Sequence, residues 1–428
     1  MSKTVNMEVI QRMNTRERFI EVMRNFNTNV SAMKWEFGYW GETINKWYEN
    51  GLPRVQPAPV PSNYTSVSSS IYTLSWTSRN KYIKPGEFPK GYAVMGGGLY
   101  WPTQGFALDN DVRDYFCMDQ SQQLVDLNLF CYPVFEPKVL EEDDEMLKYL
   151  DLDGVIRIYL KKTATMASGW DWPIKDEKSW RQFKEERLDL KDIRRRLPES
   201  WAEKVKEYKY RDYPLGIGGY PLGFFGTPAH LLGYDKLFLM YYDNPKLLHD
   251  IMDTFTNIWI SVFEEVLADV EIDHMQIWED ISFGTGSMVS EQHMREFMLP
   301  YYKKLTGFLK SHGVDLIFVD TDGYCMKIIP FFIEAGVTGM FPFETHCGMD
   351  IVKVRKDFPD LAIMGGIPKS DISLGRGRID EILKPVEIVL ETGGYIPFGD
   401  HFIPPEVSWE DFKYYREKLN KLIESRKA

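Results

Sequence analysis

Two aspartates, Asp320 and Asp322, close an apolar run in the order Asp-Thr-Asp-Gly. On an extended backbone, side chains two residues apart face the same side. Two carboxylates held that close repel unless a cation or a shared proton neutralises them. His401 follows another apolar run, directly after Asp400, and Glu279 ends a third. Asp320, Asp322 and His401, with Glu279 as a fourth, thus carry the donor types of a metal site. A plainer reading stands beside it, in which Asp-Gly makes a turn and Asp400 caps the loop before Pro404-Pro405. Polar groups also follow apolar runs at Glu344 and at Gly365-Gly366 with Lys369. His346, two residues after Glu344 and beside Cys347, is a further candidate for a ligand or an acid/base group. His230, His249, His274, His293 and His312 read as surface or hydrogen-bonded residues. The clusters Gly96-Gly97-Gly98, Gly284-Thr285-Gly286 and Gly375-Arg376-Gly377 lack the GxGxxG or GK[ST] pattern of a nucleotide loop.

Chemistry at the ends of successive apolar runs requires a fold that brings those ends together, and parallel α/β folds do so. In the C-terminal half six strands are predicted: Gly216 to Tyr220, Met275 to Glu279, Leu316 to Asp320, Gly339 to Glu344, Ala362 to Ile367 and Tyr395 to Asp400. Helical patterns lie between and after them, at Pro245 to Ala268, Ser290 to Ser311, Met326 to Ala335, Ile351 to Phe358, Arg378 to Thr392 and Trp409 to Arg426. From Leu316 onward the strands recur at the length of one βα unit. The front half is less regular. A helix from about Thr15 to Asn25, capped by Asn14, precedes a first strand at Ser31 to Phe37. A Pro- and Ser-rich run from Val55 to Ser70 reads as a surface connection. Leu127 to Phe135 and Val155 to Thr163 read as a hairpin insertion, and the charged block 176–212 as surface helices or, alternatively, a docking face for a partner protein.

With 428 residues, 44% hydrophobic and 27% charged, the chain can bury a large core and is not a disordered tail. The balance of 51 basic against 63 acidic residues, net −12, opposes binding to nucleic acid or anionic lipid. Cys117, Cys131, Cys325 and Cys347 form no CxxC pair, which fits a reducing cytoplasm rather than a disulfide scaffold. The first residues lack the apolar stretch of an export signal. The uncharged stretches Val55 to Ser78 and Tyr213 to Tyr234 are not continuously apolar, so no membrane span is expected, and the second reads as buried strand and loop. Twelve Trp, 24 Tyr and 26 Phe provide enough flat apolar surface for an aromatic-lined pocket as well as a core.

Several segments together resemble the uroporphyrinogen decarboxylase superfamily. They are Met13-Asn14-Thr15-Arg16-Glu17-Arg18-Phe19, Trp35-Glu36-Phe37-Gly38-Tyr39-Trp40, Phe224-Phe225-Gly226-Thr227, the Asp320-Thr321-Asp322-Gly323 turn, Gly348-Met349-Asp350, Gly365-Gly366-Ile367, and Gly394-Tyr395-Ile396-Pro397 with Asp400-His401. The resemblance is strongest from about 215 to 425. It implies a (β/α)8 TIM barrel in a single domain over 1–428, with an N-terminal extension, a β and helical insertion at about 80–212, and its site at the C-terminal mouth of the strands.

The superfamily holds both porphyrinogen decarboxylases and zinc-dependent corrinoid methyltransferases. Decarboxylases carry an Arg-rich N-terminal segment that grips the substrate carboxylates, whereas here that stretch is Trp35 to Trp40, with no Arg. Thiol methyltransferases hold zinc with a His-x-Cys pair and a late Cys. Asp320 and Asp322 fall at the pair, and His401 at the late Cys. Carboxylates in place of sulfur make a harder site, suited to an ether or alcohol oxygen. The resemblance therefore implies a cytoplasmic methyltransferase that uses zinc or another divalent metal. It would move a methyl group from an oxygen-bound small molecule, an aryl methyl ether, to the Co(I) of a separate corrinoid protein. Glu344 or His346 would supply a proton or orient the substrate. Trp35, Tyr39, Trp40, Tyr220, Phe224 and Phe225 are the candidates to wall the ring, with core packing the alternative for each. The rival functions are a decarboxylase of another acid and a non-catalytic docking subunit for a corrinoid protein.

Overall fold

The computed structural model describes residues 13–55, 88, 93–99, 107–162, 167–191 and 193–425. Its centre is an α/β arrangement around a seven-stranded parallel sheet. The strands are β1 (Gln123–Leu124), β2 (Leu215–Gly218), β3 (His274–Trp278), β4 (Ile317–Thr321), β5 (Gly339–Pro342), β6 (Ala362–Met364) and β7 (Tyr395–Ile396). Each pairs with its neighbours in chain order, so consecutive strands lie side by side and all point the same way. That order follows from the alternation of short β-branched runs with amphipathic helices, since a parallel pair needs a crossover. The strands are buried along their whole length apart from the ends of β1 and β3, as expected of a sheet covered on both faces.

The longest crossover, the helix Pro245–Asp269, begins on an Asn244 side chain that accepts the N–H of Leu247. Its Leu248, Ile251, Phe255, Ile258, Trp259, Val262 and Val266 recur at helical spacing and are all buried. Trp259 alone removes a side chain worth roughly 3 kcal/mol of burial, and its indole N–H donates to Leu129 O at 2.8 Å. The N-terminal helix Thr15–Met23 has the expected Asn14 cap, completed by Glu17 as a capping box. Close packing inside the sheet leaves room at Gly216 only for hydrogen, because a Cβ there would stand 2.2 Å from the His274 ring.

Several expectations are corrected. The first strand is Gly38–Trp40 rather than Ser31 to Phe37, and it pairs antiparallel with Ala93–Met95. Ile156–Leu160 is a strand, but its partner is Met146–Leu150, within a four-stranded antiparallel sheet of Lys138–Glu142, Met146–Leu150, Ile156–Leu160 and Ser168–Asp171. Met146–Leu150 alternates buried and half-exposed residues, whereas in Leu127 to Phe135 burial holds from Leu129 to Cys131 without alternation and gives way to an exposed Pro133. The stretch Tyr213 to Tyr234 holds a helix, Gly226–Leu232, besides β2. Two helical patterns are interrupted at prolines. Arg376–Ile382 and Lys384–Leu390 separate before Pro385, and a π-turn at Met294–Met298 precedes Pro300, because proline has no N–H to continue the ladder. All but Val55 of the Pro- and Ser-rich run lies outside the described residues, as do Thr163 and Arg426. Among the described residues no helix is long and apolar enough to cross a membrane.

Candidate functional site

Because the seven strands are parallel, the residues that follow them gather on one edge. A cavity of about 370 Å³ opens there, walled by Trp40, Tyr220, Trp278, Phe37 and Phe402 and bearing Asp280, Asp320, Asp322 and His401. The antiparallel sheet and the loop after it close another side with Val155, Arg157, Gly169 and Trp172.

The Asp-Thr-Asp-Gly segment runs off the end of β4. Gly323 adopts φ +79°, and a Cβ there would lie 2.5 Å from Ser282 O, so both the turn and the close approach require glycine. The Gly323 N–H donates to Glu344 Oε2 at 3.1 Å, and the Asp322 N–H donates to the Asp280 carboxylate. Lys369 Nζ donates to Glu344 Oε1 at 3.1 Å and stands 3.5 Å from Asp400 Oδ1. Asp400 is engaged further by the Thr345 N–H and hydroxyl and by the Lys369 N–H, which fixes the loops after β5 and β6 against β7. The His401 ring stacks on Phe37 with centroids 4.8 Å apart and holds Nε2 3.6 Å from Asp322 Oδ2. Asp280 (φ 48°) and Phe343 (φ 59°) are non-glycine residues in left-handed backbone, and both flank this cluster. Such strain persists where the surrounding structure imposes it, as it does at functional sites.

Five carboxyl groups (Asp280, Asp320, Asp322, Glu344 and Asp400) and the Lys369 ammonium make the cluster acidic, and the titration of its members reflects that. Burial, then the charges of Asp322, Asp280 and Glu344, raises the Asp320 carboxyl well above the usual range. Asp322 is raised likewise by burial and by Asp280 and Glu344, with Lys369 in opposition. Burial pushes Asp280 up to about 6. Glu344 is held below its ordinary value although burial opposes it, because Lys369 and the Gly323 N–H stabilise its charge. Burial, aided by Lys369, pulls His401 down to about 4, so its imidazole is neutral.

The predicted residues divide. Asp320, Asp322, His401, Trp40 and Tyr220 share the cavity. Glu344 joins the cluster through Gly323 and Lys369. His346 is exposed, 3.6 Å from Asp371 and off the cavity wall. Glu279 is not among the cavity groups. Its buried carboxylate accepts the N–H groups of Phe224, Phe225 and Gly226 and the Tyr302 hydroxyl. Trp35, Tyr39, Phe224 and Phe225 are core residues, packed on Phe19, on Trp47 and Phe412, on Trp259 and Tyr302, and on Phe238 respectively. The cavity residues outside the predicted site are Trp278 and Asp280, which flank Glu279 at the same strand end, His230, read as surface or hydrogen-bonded, and Arg157. Asp280 stood in plain view beside Glu279, but its left-handed backbone breaks the two-residue alternation that would have told the pair apart. His274, read as surface or hydrogen-bonded, is fully buried, and among the described residues neither ring nitrogen has a hydrogen-bond partner.

The donor types around the cavity, carboxylates from three residues and a neutral imidazole, suit a divalent cation, which would take the place of the protons that mutual repulsion imposes. Among the described residues, however, no three His, Cys, Asp or Glu side chains stand with the spacing of a ready-made metal site.

Strand-end acids facing an aromatic cavity on a parallel α/β sheet define an enzyme-like class, and sequence comparison names the family. Residues 204–422 match the family model for uroporphyrinogen decarboxylase (URO-D), and the chain belongs to that family. The uroporphyrinogen decarboxylase of Chlorobium phaeobacteroides is 27% identical over 181 residues, covering 41% of this chain and 49% of that protein. That of Chlorobium phaeovibrioides is 25% identical over 181 residues with the same coverage of 41% and 49%. The chain thus spans about half the length of the curated relatives it matches. Among solved structures, a 3-keto-D-glucoside 4-epimerase from E. coli is similar at 12% identity, covering 59% of this chain and 96% of that one with a TM-score of 0.30, a likeness too low to carry an argument.

Proposed function

We propose that this chain is a methyltransferase of its family, taking a methyl group from an aryl methyl ether and passing it to the Co(I) of a separate corrinoid protein. The observation that carries the reading is the meeting, in one cavity, of aromatic walls with carboxyl groups pushed toward their protonated form. An uncharged ring suits the walls, and an ether oxygen needs a proton or a cation when its methyl group leaves.

In this mechanism Trp40, Tyr220 and Trp278 hold the ring. The protonated carboxyl of Asp320 or Asp322 donates to the ether oxygen. The acceptor's electron pair forms the new bond to the methyl carbon. The pair of the broken C–O bond stays on oxygen, which takes the proton and departs as a phenol. Lys369 and Glu344 hold the Asp322 turn in place through Gly323. A divalent cation such as zinc, held by Asp320, Asp322 and His401 with Asp280 in the position first given to Glu279, would supply Lewis acidity at the same oxygen.

A second reading, decarboxylation of a different acid, draws on the names of the relatives and on Asp320 as a proton donor. The decisive experiment mixes the chain with a Co(I) corrinoid protein and a panel of methoxyarenes, following the cobalt absorption and the phenol released. Phenol formation that requires the corrinoid supports methyl transfer. Release of carbon dioxide from an acid without it supports the second reading.

The sheet closes as an eight-stranded barrel in one domain, a reading supported by the hydrogen bonds that tie Gly38 and Trp40 to Ile403 beyond β7. The protein works in the cytoplasm, consistent with four unpaired cysteines.

A further inference from the structure

The antiparallel sheet brings a second charged group to the same cavity. On Ile156–Leu160 the alternation that buries every second side chain turns Arg157 inward. Its Nη1 donates to Asp151 at 2.9 Å and to Asp153 at 2.8 Å, and its Nη2 donates to Asp153 at 2.6 Å. Although burial opposes it, this pairing holds the Asp153 carboxyl far below its ordinary range, so it is charged. The same carboxylate faces His230, whose Nδ1 lies 3.8 Å from Asp153 Oδ2.

A carboxylate opposite Nδ1 draws the imidazole proton to that nitrogen. Burial pulls the His230 pKa down despite Asp153, so the ring is neutral. Nε2 is then a hydrogen-bond acceptor. The ring forms part of the cavity wall, edge-on to Tyr220 at 5.2 Å and 5.3 Å from Trp278. An acceptor set among aromatic walls selects a ligand that carries a donor. Leaving such a donor without its partner on binding costs affinity, and sites built around a substrate hydroxyl reject analogues that lack it.

Resting on the methyl-transfer reading for the kind of substrate, we propose that His230 determines specificity by accepting a hydrogen bond from a ring hydroxyl, so that methoxyphenols are preferred to fully methylated arenes. Asp153 and Arg157 are positioning residues that fix the tautomer of His230.

The test is equilibrium binding to the full chain, with no corrinoid present, of guaiacol and of its methyl ether veratrole, read by quenching of tryptophan fluorescence. The wild-type chain is expected to prefer guaiacol by at least about tenfold. His230→Phe, which keeps an aromatic ring but removes the acceptor, should bind the two equally. Asp153→Asn, whose carboxamide can donate to Nδ1 and move the proton to Nε2, should shift the preference toward veratrole, which a loss of packing alone would not do. Equal binding by the wild type, no binding of either compound, or an undiminished preference in His230→Phe would overturn the proposal. If His230→Phe does not fold, the direction of the shift in Asp153→Asn decides. A chain that shows the preference but transfers no methyl group would count against the function, leaving the role of His230 intact.

Discussion

Glu279 and Asp280 are adjacent in the chain and serve different parts of the molecule. Glu279 turns its carboxylate onto the first turn of the helix Gly226–Leu232, accepting from Phe224 N at 2.9 Å and Phe225 N at 2.7 Å. Asp280, in left-handed backbone, turns into the cavity. One residue locks the end of β3 to the following layer, and the next faces the substrate space. Burial pushes the Glu279 carboxyl up to about 7, opposed by the Tyr302 hydroxyl and by the N–H groups and positive dipole end at the start of the helix, which favour its charge.

The two positions should therefore separate stability from chemistry. Glu279→Ala leaves buried donors unsatisfied and is expected to cost about 3 kcal/mol in urea unfolding. Asp280→Asn removes one charge from a repelling cluster, so it should keep stability within about 1 kcal/mol of the wild type or raise it, while lowering turnover strongly. Comparable loss of stability in both variants would remove the distinction.

Much of this was legible in the chain itself. The strand ends from Glu279 to His401 could be found because short apolar runs alternate with helices, and polar residues after such runs share one edge in a parallel sheet. Asp320, Asp322 and His401 came together for that reason. Trp35, Tyr39, Phe224 and Phe225 were not separable from Trp40 and Tyr220, since a ring that walls a cavity and a ring that fills a core have the same composition. That Asp280 rather than Glu279 lines the cavity rests on a backbone conformation that no residue type announces. Arg157 and His230 depend on an antiparallel sheet folding back over the cavity, which brings Asp153 to His230, 77 residues apart in the chain, and is governed by tertiary packing.

His274 should make the fold sensitive to acid. It lies fully buried between Phe19 and Phe318, and burial pulls its pKa down to about 4. The unfolded chain takes up that proton near pH 6.5. Between those values the unfolded state binds more protons, so stability falls as the pH drops from about 6.5 toward 4. His274→Leu should shrink the difference in unfolding free energy between pH 7 and pH 5 by about 2 kcal/mol. An unchanged difference would mean that the imidazole is protonated within the fold.

Metal content checks the ligand set. The purified chain is expected to hold about one divalent ion, with Asp322→Ala and His401→Ala each lowering occupancy sharply because four protein ligands become three. Glu279→Gln should leave occupancy unchanged, since Glu279 is engaged by the 224–226 amides and Tyr302. Elemental analysis of the four proteins settles it. Full occupancy in both the Asp322 and His401 variants would exclude them as ligands, and loss in the Glu279 variant would restore that residue to the set.

Uroporphyrinogen itself should not be a substrate, although the relatives are named for it. A polycarboxylate entering a partly buried cavity must exchange its hydration for cationic partners, and guanidinium groups provide them in paired geometry. Among the described lining residues the one guanidinium is Arg157, and it is held by Asp151 and Asp153. Asp280, Asp320 and Asp322 would add repulsion where the substrate carboxylates need attraction. Incubation with uroporphyrinogen should therefore release no carbon dioxide above the uncatalysed background and leave the fluorescence of the cavity tryptophans unchanged. Arg157→Met should not alter that outcome, because the guanidinium is engaged internally. Decarboxylation at a useful rate, abolished by Arg157→Met, would show that the ion pairs open to admit a carboxylate and would overturn the methyl-transfer reading with it.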